Sequence, residues 1–179
     1  MIREPSDQSC QGMQILSRRY LPSSGSITQP APIVLTYFTA VRDETLTRLS
    51  AYRSGTQSAG VVTAKFGVYS VVGDPQVVDG DLTLIAATAN DPTIFSTSTV
   101  TFIRSTLAPY DLAAGGRYAM AILQVATTTG QLMGNNIPSS ISGVLPRIAG
   151  TVNAPDLPQI IKAVDIGPSG LLFTGVLLP

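Results

Sequence analysis

The chain has 179 residues, enough for one domain with an arm and too few for two full domains. Only 12% of them are charged against 44% hydrophobic, where about 25% charged is ordinary for a soluble domain, so apolar surface is expected to be left over for packing against neighbouring subunits. The formal net charge is +0 and the basic residues, mostly Arg, are scattered from Arg3 to Arg147, which excludes a stripe that could track a phosphate backbone and disfavours nucleic acid as a partner.

Several chemistries are closed as well. Histidine and tryptophan are absent, which removes Ser-His-Asp and Cys-His nucleophilic systems and the usual zinc and copper ligand sets. No phosphate-cradling or dinucleotide glycine motif follows a strand, and the single Cys10 cannot form an internal disulfide. The start, MIREPSDQSCQG, lacks an apolar core behind a basic end, and no run of about 18 apolar residues occurs. Neither a signal peptide nor a membrane-spanning helix is expected, so synthesis in a cytoplasm follows, with no cofactor and no membrane insertion.

Residues 1–32 read as an extended arm. They are polar, hold Ser23-Ser24-Gly25-Ser26 and Gln29-Pro30-Ala31-Pro32, and offer apolar contact only around Met13, Ile15, Leu16, Tyr20 and Leu21. Arg18, Arg19 and Tyr20 are the candidate anchors on a partner surface; an arm folded back on its own domain is the alternative. Residues 33–179 read as the β domain. Ile33 to Val41 is β-branched and aromatic on both faces, which predicts a strand covered on two sides. Arg42-Asp43-Glu44 predicts a turn, and Thr45 to Arg53 a strand with Leu49 and Ala51 inward.

Next comes a hairpin. Val62, Ala64, Phe66, Val68 and Val72 fall on one face of a strand, Thr63, Lys65, Gly67 and Tyr69 on the other, and Leu82 to Ala89 returns antiparallel. The connection carries Asp74, Asp79 and Asp81, which suit a tight turn; their spacing matches no calcium loop, although an ion there stays an open alternative. Further on, Thr99 to Thr106 predicts a strand, Pro109 and Gly115-Gly116 bracket a link, and Arg117 to Ala126, apolar on both faces, predicts a strand in the middle of a sheet. Thr127 to Ser142 reads as a polar loop around Asn135 and Asn136. The remaining strand candidates are Gly143 to Ile148, Ile160 to Val164 and Leu171 to Leu178, with a helical turn as the alternative within Leu157 to Val164. Short strands with turn signals at regular intervals predict an all-β, two-sheet antiparallel sandwich, jelly-roll-like, with the extended N-terminal arm.

The run Phe66-Gly67-Val68-Tyr69, with Leu82-Thr83-Leu84-Ile85-Ala86, Thr88-Ala89-Asn90-Asp91 and Phe95, followed by Tyr110-Asp111-Leu112, Gly115-Gly116-Arg117-Tyr118-Ala119 and Ile122-Leu123, resembles minor tail and receptor-binding proteins of tailed phages, above all those infecting actinobacteria. The likeness covers roughly the middle third of the chain and implies a jelly-roll module of a virion without catalytic residues. On that footing the expected function is a non-enzymatic minor tail or tail-tip subunit located in the virion. Its expected partners are further copies of itself, with a trimer favoured, and other virion proteins that receive the arm. The alternatives are a module that binds host cell-surface glycan, with Tyr52, Tyr69, Tyr110, Asn135 and Asn136 as candidate contacts, and a capsid decoration or head-fibre protein.

Overall fold

A computed structural model describes residues 13–14, 23–26, 33–53, 57–73, 79–96, 101–142, 144–173 and 175–178. In chain order the strands are β1 (Met13–Gln14), β2 (Ser23–Ser26), β3 (Ile33–Thr39), β4 (Glu44–Arg53), β5 (Thr63–Val71), β6 (Leu82–Ala87), β7 (Thr101–Leu112), β8 (Arg117–Val125), β9 (Gln131–Asn136), β10 (Ala149–Val152), β11 (Ile160–Ile161), β12 (Leu171–Phe173) and β13 (Gly175–Leu178). One turn of helix, α1 (Ser139–Ser142), follows β9, and a 3₁₀ turn covers Ala163–Asp165.

The strands form two antiparallel sheets. A six-stranded sheet runs β10-β3-β8-β5-β6-β11, and a seven-stranded sheet runs β1-β13-β4-β9-β12 with β2 on β9 and β7 on β4. The pairings β5–β6, β4–β7 and β3–β8 are nested in sequence, the middle pair in one sheet and the other two in the opposite one. That is the wrapping of a long hairpin into a jelly-roll-like sandwich. Both described pieces of the arm are strands of the seven-stranded sheet: Met13 pairs with Leu177, and Ser23 to Ser26 with Gly134 to Gln131.

Side-chain alternation divides the interior into two cores. From β3 and β8, Val34, Phe38, Tyr118, Met120 and Ile122 face the seven-stranded sheet, where they meet Leu46, Leu49, Ala51, Leu132, Phe173 and Leu177. Their neighbours Ile33, Leu35, Tyr37, Ala119, Ala121 and Leu123 face outward, yet they too are buried, under Val152, Ile161 and Ile166. The two strands read as apolar on both faces are therefore interior strands, with β8 between β3 and β5.

The outer cover is a strap, residues 153–166, fastened to the sheet by polar bonds. The backbone N–H of Leu84 donates to Gln159 O (2.9 Å), and the Gln159 side chain returns a bond to Leu84 O (3.0 Å). Lys65 Nζ reaches Asp156 at 2.7 Å, and Lys162 Nζ reaches Asp81 at 2.7 Å. Gly67 makes the close approach of the strap possible, since a Cβ there would stand 2.9 Å from Leu157 Cδ1.

Several sequence expectations need correction. Val62 and Val72 continue the parity of Ala64, Phe66 and Val68 but lie past the ends of the core and are exposed. The strand expected to stop at Thr106 continues through Pro109 to Leu112. The proline is tolerated because β7 pairs only with β4 among the described strands, and because the register slips there: Leu46 faces Tyr110 while Arg48 faces Thr106. Thr127 to Ser142 is not one loop, since β9 is inserted between β2 and β12; its polar residues pair through their backbones. Gly143 to Ile148 yields no strand among its described residues, and β10 begins only at Ala149.

Phe66 and Val62, read from sequence as equivalent, provide a test. Phe66→Ala should cost about 3–5 kcal/mol by urea denaturation, whereas Val62→Ala should stay within about 0.5 kcal/mol.

Candidate functional site

The strongest concentration of buried polar chemistry lies where the hairpin connection meets β8 and the segment before β10. Asp79, its side chain fully buried, accepts a bond from Arg117 Nε at 2.8 Å. Its other oxygen accepts the backbone N–H of Arg147. Arg117 Nη2 donates to Arg147 O at 2.5 Å, and Arg147 Nη2 to Ala163 O at 3.4 Å. Arg117 also stands over the Tyr37 ring, 5.2 Å from its centroid. Carboxylate and guanidinium thus compensate each other's burial, and both are spent on holding the chain at Arg147.

The Tyr37 hydroxyl is buried with no hydrogen-bond partner among the described residues. Burial first, and the Asp79 carboxylate second, push its ionisation well above the ordinary phenol range, against the pull of Arg147 and Arg117. Tyr69 is raised in the same direction, by burial and then by Asp156.

The aspartates of the hairpin connection act as fasteners. Asp81 accepts from Lys162 and from the backbone N–H of Ala163 (3.0 Å), which together hold its carboxyl below the usual range. Asp74 lies outside the described residues. No group of three or more His, Cys, Asp or Glu is placed to hold a metal ion among the described residues.

A second group of carboxylates borders a surface groove of about 460 Å³ lined by Asp43, Glu44, Thr45, Asp111, Leu112 and Ala113. Each carboxylate is engaged locally. Asp43 accepts the N–H of Ala114 (2.7 Å), Glu44 the guanidinium of Arg42 (3.3 Å) and Asp111 the hydroxyl of Thr45 (2.5 Å). These bonds close the turn and clasp β4 to β7.

The residues singled out for glycan contact do not converge. Tyr69 is fully buried beneath the strap and donates its hydroxyl to Pro158 O at 3.0 Å, so it has no face to offer a sugar. Tyr52 and Tyr110 are both half-buried, but they pair with opposite ends of the β4–β7 ladder, opposite Phe102 and Leu46, about 20 Å apart at the usual strand rise. Asn135 and Asn136 lie within β9, opposite Leu172 and Leu171, where backbone pairing replaces the expected loop. Arg18, Arg19 and Tyr20 lie outside the described residues.

Sequence reasoning missed a group of exposed apolar side chains on either side of the Arg147 anchor: Ile141, Val144, Leu145 and Ile148, at 53%, 61%, 45% and 39% exposure. One signal was available. Between Arg117 and Arg147 the chain carries no charged side chain, and such a stretch has little to cover it with once it leaves the sheets.

No protein-family model matches the chain, and no curated protein is significantly similar to it. The class it defines is that of a two-sheet β-sandwich with one sheet buried on both faces.

Two outcomes follow from the Asp79 cluster. Asp79→Ala, which strands the Arg117 charge, should cost about 3–5 kcal/mol in chemical denaturation. Tyr37→Phe removes only an unpartnered hydroxyl and keeps the ring under Arg117, so stability at neutral pH should hold or rise by about 1 kcal/mol. The unfolded phenol ionises near pH 10 while the folded one stays protonated, so stability is lost as pH rises above that value. Alkaline titration followed by circular dichroism should therefore place the Tyr37→Phe unfolding midpoint at higher pH than that of the native chain.

Proposed function

We propose that this chain is a non-enzymatic structural subunit of a virion, a minor tail or tail-tip protein that assembles as a symmetric homo-oligomer, with a trimer favoured. In this reading the part of residues 1–32 outside the paired stretches Met13–Gln14 and Ser23–Ser26 docks on a neighbouring virion protein. The single observation that carries it is the exposed apolar cluster at Ile141, Val144, Leu145 and Ile148 on a chain of low charge, since apolar surface held in water favours association. The use of ionic groups agrees with it. Asp79, Asp81 and Asp156 join the connection and the strap to the sheet. The resemblance of the middle third to tail proteins supplies the virion, and the jelly-roll-like wrapping is a frame that suits such a subunit.

The glycan-binding reading rests on scattered residues, one of them buried, and stands second. A capsid decoration or head-fibre role would use the same frame and the same contacts.

Antibody raised against the purified chain should label one end of the tail when particles from a phage encoding it are viewed by electron microscopy, and light scattering should give a mass of several chains. A protein present in infected cells but missing from purified particles would refute the virion assignment.

A further inference from the structure

Two short strands of the N-terminal segment lie on outer edges of the seven-stranded sheet. β1 has β13 as its one partner among the described strands, and β2 has β9. Each partner is paired within the frame on its other edge: Leu177 lies between Met13 and Leu49, and Gly134 between Ser23 and Phe173. The arm therefore covers N–H and C=O groups of β13 and β9 that would otherwise stand ready for the addition of a strand. Backbone pairing is what holds β2 in place. Its sequence is Ser-Ser-Gly-Ser, with no apolar side chain to bury, and a backbone hydrogen bond exchanged for one to water is a small net gain.

The same edges exist on every copy of the chain. A neighbour's β13 and β9 accept residues 13–26 in the register already described, Met13 against Leu177 and Ser23 to Ser26 against Gly134 to Gln131. Home and exchanged pairings make the same contacts, so the connection to β3 separates them. β2 belongs to the seven-stranded sheet and β3 to the six-stranded one, and between them the sequence places Pro30 and Pro32. Each proline fixes its own φ and biases the residue before it, Gln29 or Ala31, toward extended backbone. A link of that composition favours carrying the arm outward over turning it back from one sheet to the other.

We propose that residues 13–26 of one copy pair with β13 and β9 of a second copy, an exchange of arms between identical subunits. This rests on the reading of the protein as a self-assembling subunit and names what joins the copies. Within an assembly the neighbour's edges are held at high local concentration, so an arm released from its own sheet is captured by the next. Arms handed on in one direction close a ring when the rotation permits.

The test uses the full chain in a Cys10→Ser background. Directly opposite residues of an antiparallel pair have Cα atoms about 4.5–5.5 Å apart, within disulfide reach, and Ser24 lies opposite Met133. Chains carrying Ser24→Cys and chains carrying Met133→Cys are co-expressed, purified and oxidised. Exchange should give a product joined through positions 24 and 133 of two different chains, identified by peptide mass, in at least tenfold excess over the coupling of Ser24→Cys to Val62→Cys, an exposed site elsewhere. With both cysteines in one chain, oxidation should give covalent oligomers. Where a cysteine alters the circular dichroism of the fold, Ser26→Cys with Gln131→Cys repeats the test in the same register. If the doubly substituted chain closes on itself as a monomer and the co-expressed chains stay uncoupled, the arm remains on its own sheet and this inference fails, while self-assembly, read by light scattering, stands. Absence of coupling in both arrangements, or equal coupling to Val62→Cys, would also overturn it. A native chain that stays monomeric at every concentration would overturn both readings.

Discussion

The structure depends on the burial of one sheet from both sides. β3 and β8 carry apolar side chains at nearly every position, so neither face of the sheet they centre can be left to water without exposing several large residues. The seven-stranded sheet covers the inner face, and the strap with Val152, Ile161 and Ile166 covers the outer one. Several of the polar groups brought into this interior have a partner at short range, while the Tyr37 hydroxyl has none among the described residues. Thr36 bonds Phe173 O, and Gln124 bonds both Ser58 and the N–H of Gly130. Buried Arg53 donates to Phe95 O. These bonds offset desolvation and tie loops to strands.

Charge is used with corresponding economy. The few ionic side chains are concentrated at the seams where non-adjacent segments meet: Asp79 with Arg117, Asp81 with Lys162, Asp156 with Lys65. The two exposed pairs are screened by water and contribute little each, while the buried one fixes geometry because either partner alone would be an uncompensated charge. The consequence reaches the surface. With its ionic groups engaged at seams, the chain leaves apolar side chains on the outside, and the buried pair holds the most prominent group of them in a set position.

That arrangement connects fold to the proposed role. A subunit of an assembly needs a stable frame and a contact surface that does not collapse onto the frame before a partner arrives. Anchoring of the Arg147 backbone by Asp79 and Arg117 holds the apolar side chains beside it in place.

Much of the frame was legible from local pattern. Period-two alternation places strands at β3, β4, β5, β6 and β8, and apolar residues on both faces identify β3 and β8 as interior, because alternation and two-sided burial are properties of a strand and its immediate neighbours. The pairing of Asp79 with Arg117, which lie 38 residues apart, has no local signature. Nor does the burial of Tyr69, which depends on Pro158 arriving from 89 residues away. Pro109 and the asparagines of β9 misled for the same reason: turn-forming residues are admitted to a strand when a register slip or backbone pairing accommodates them. Sequence by itself determined β3, β4, β5, β6 and β8, the two-faced sheet and the shortage of charge, all set by residue type and spacing. Only the tertiary structure decided which carboxylate meets which cation, which tyrosine is hidden and which apolar residues remain outside, because those outcomes are set by segments distant in sequence that meet only when the sandwich closes.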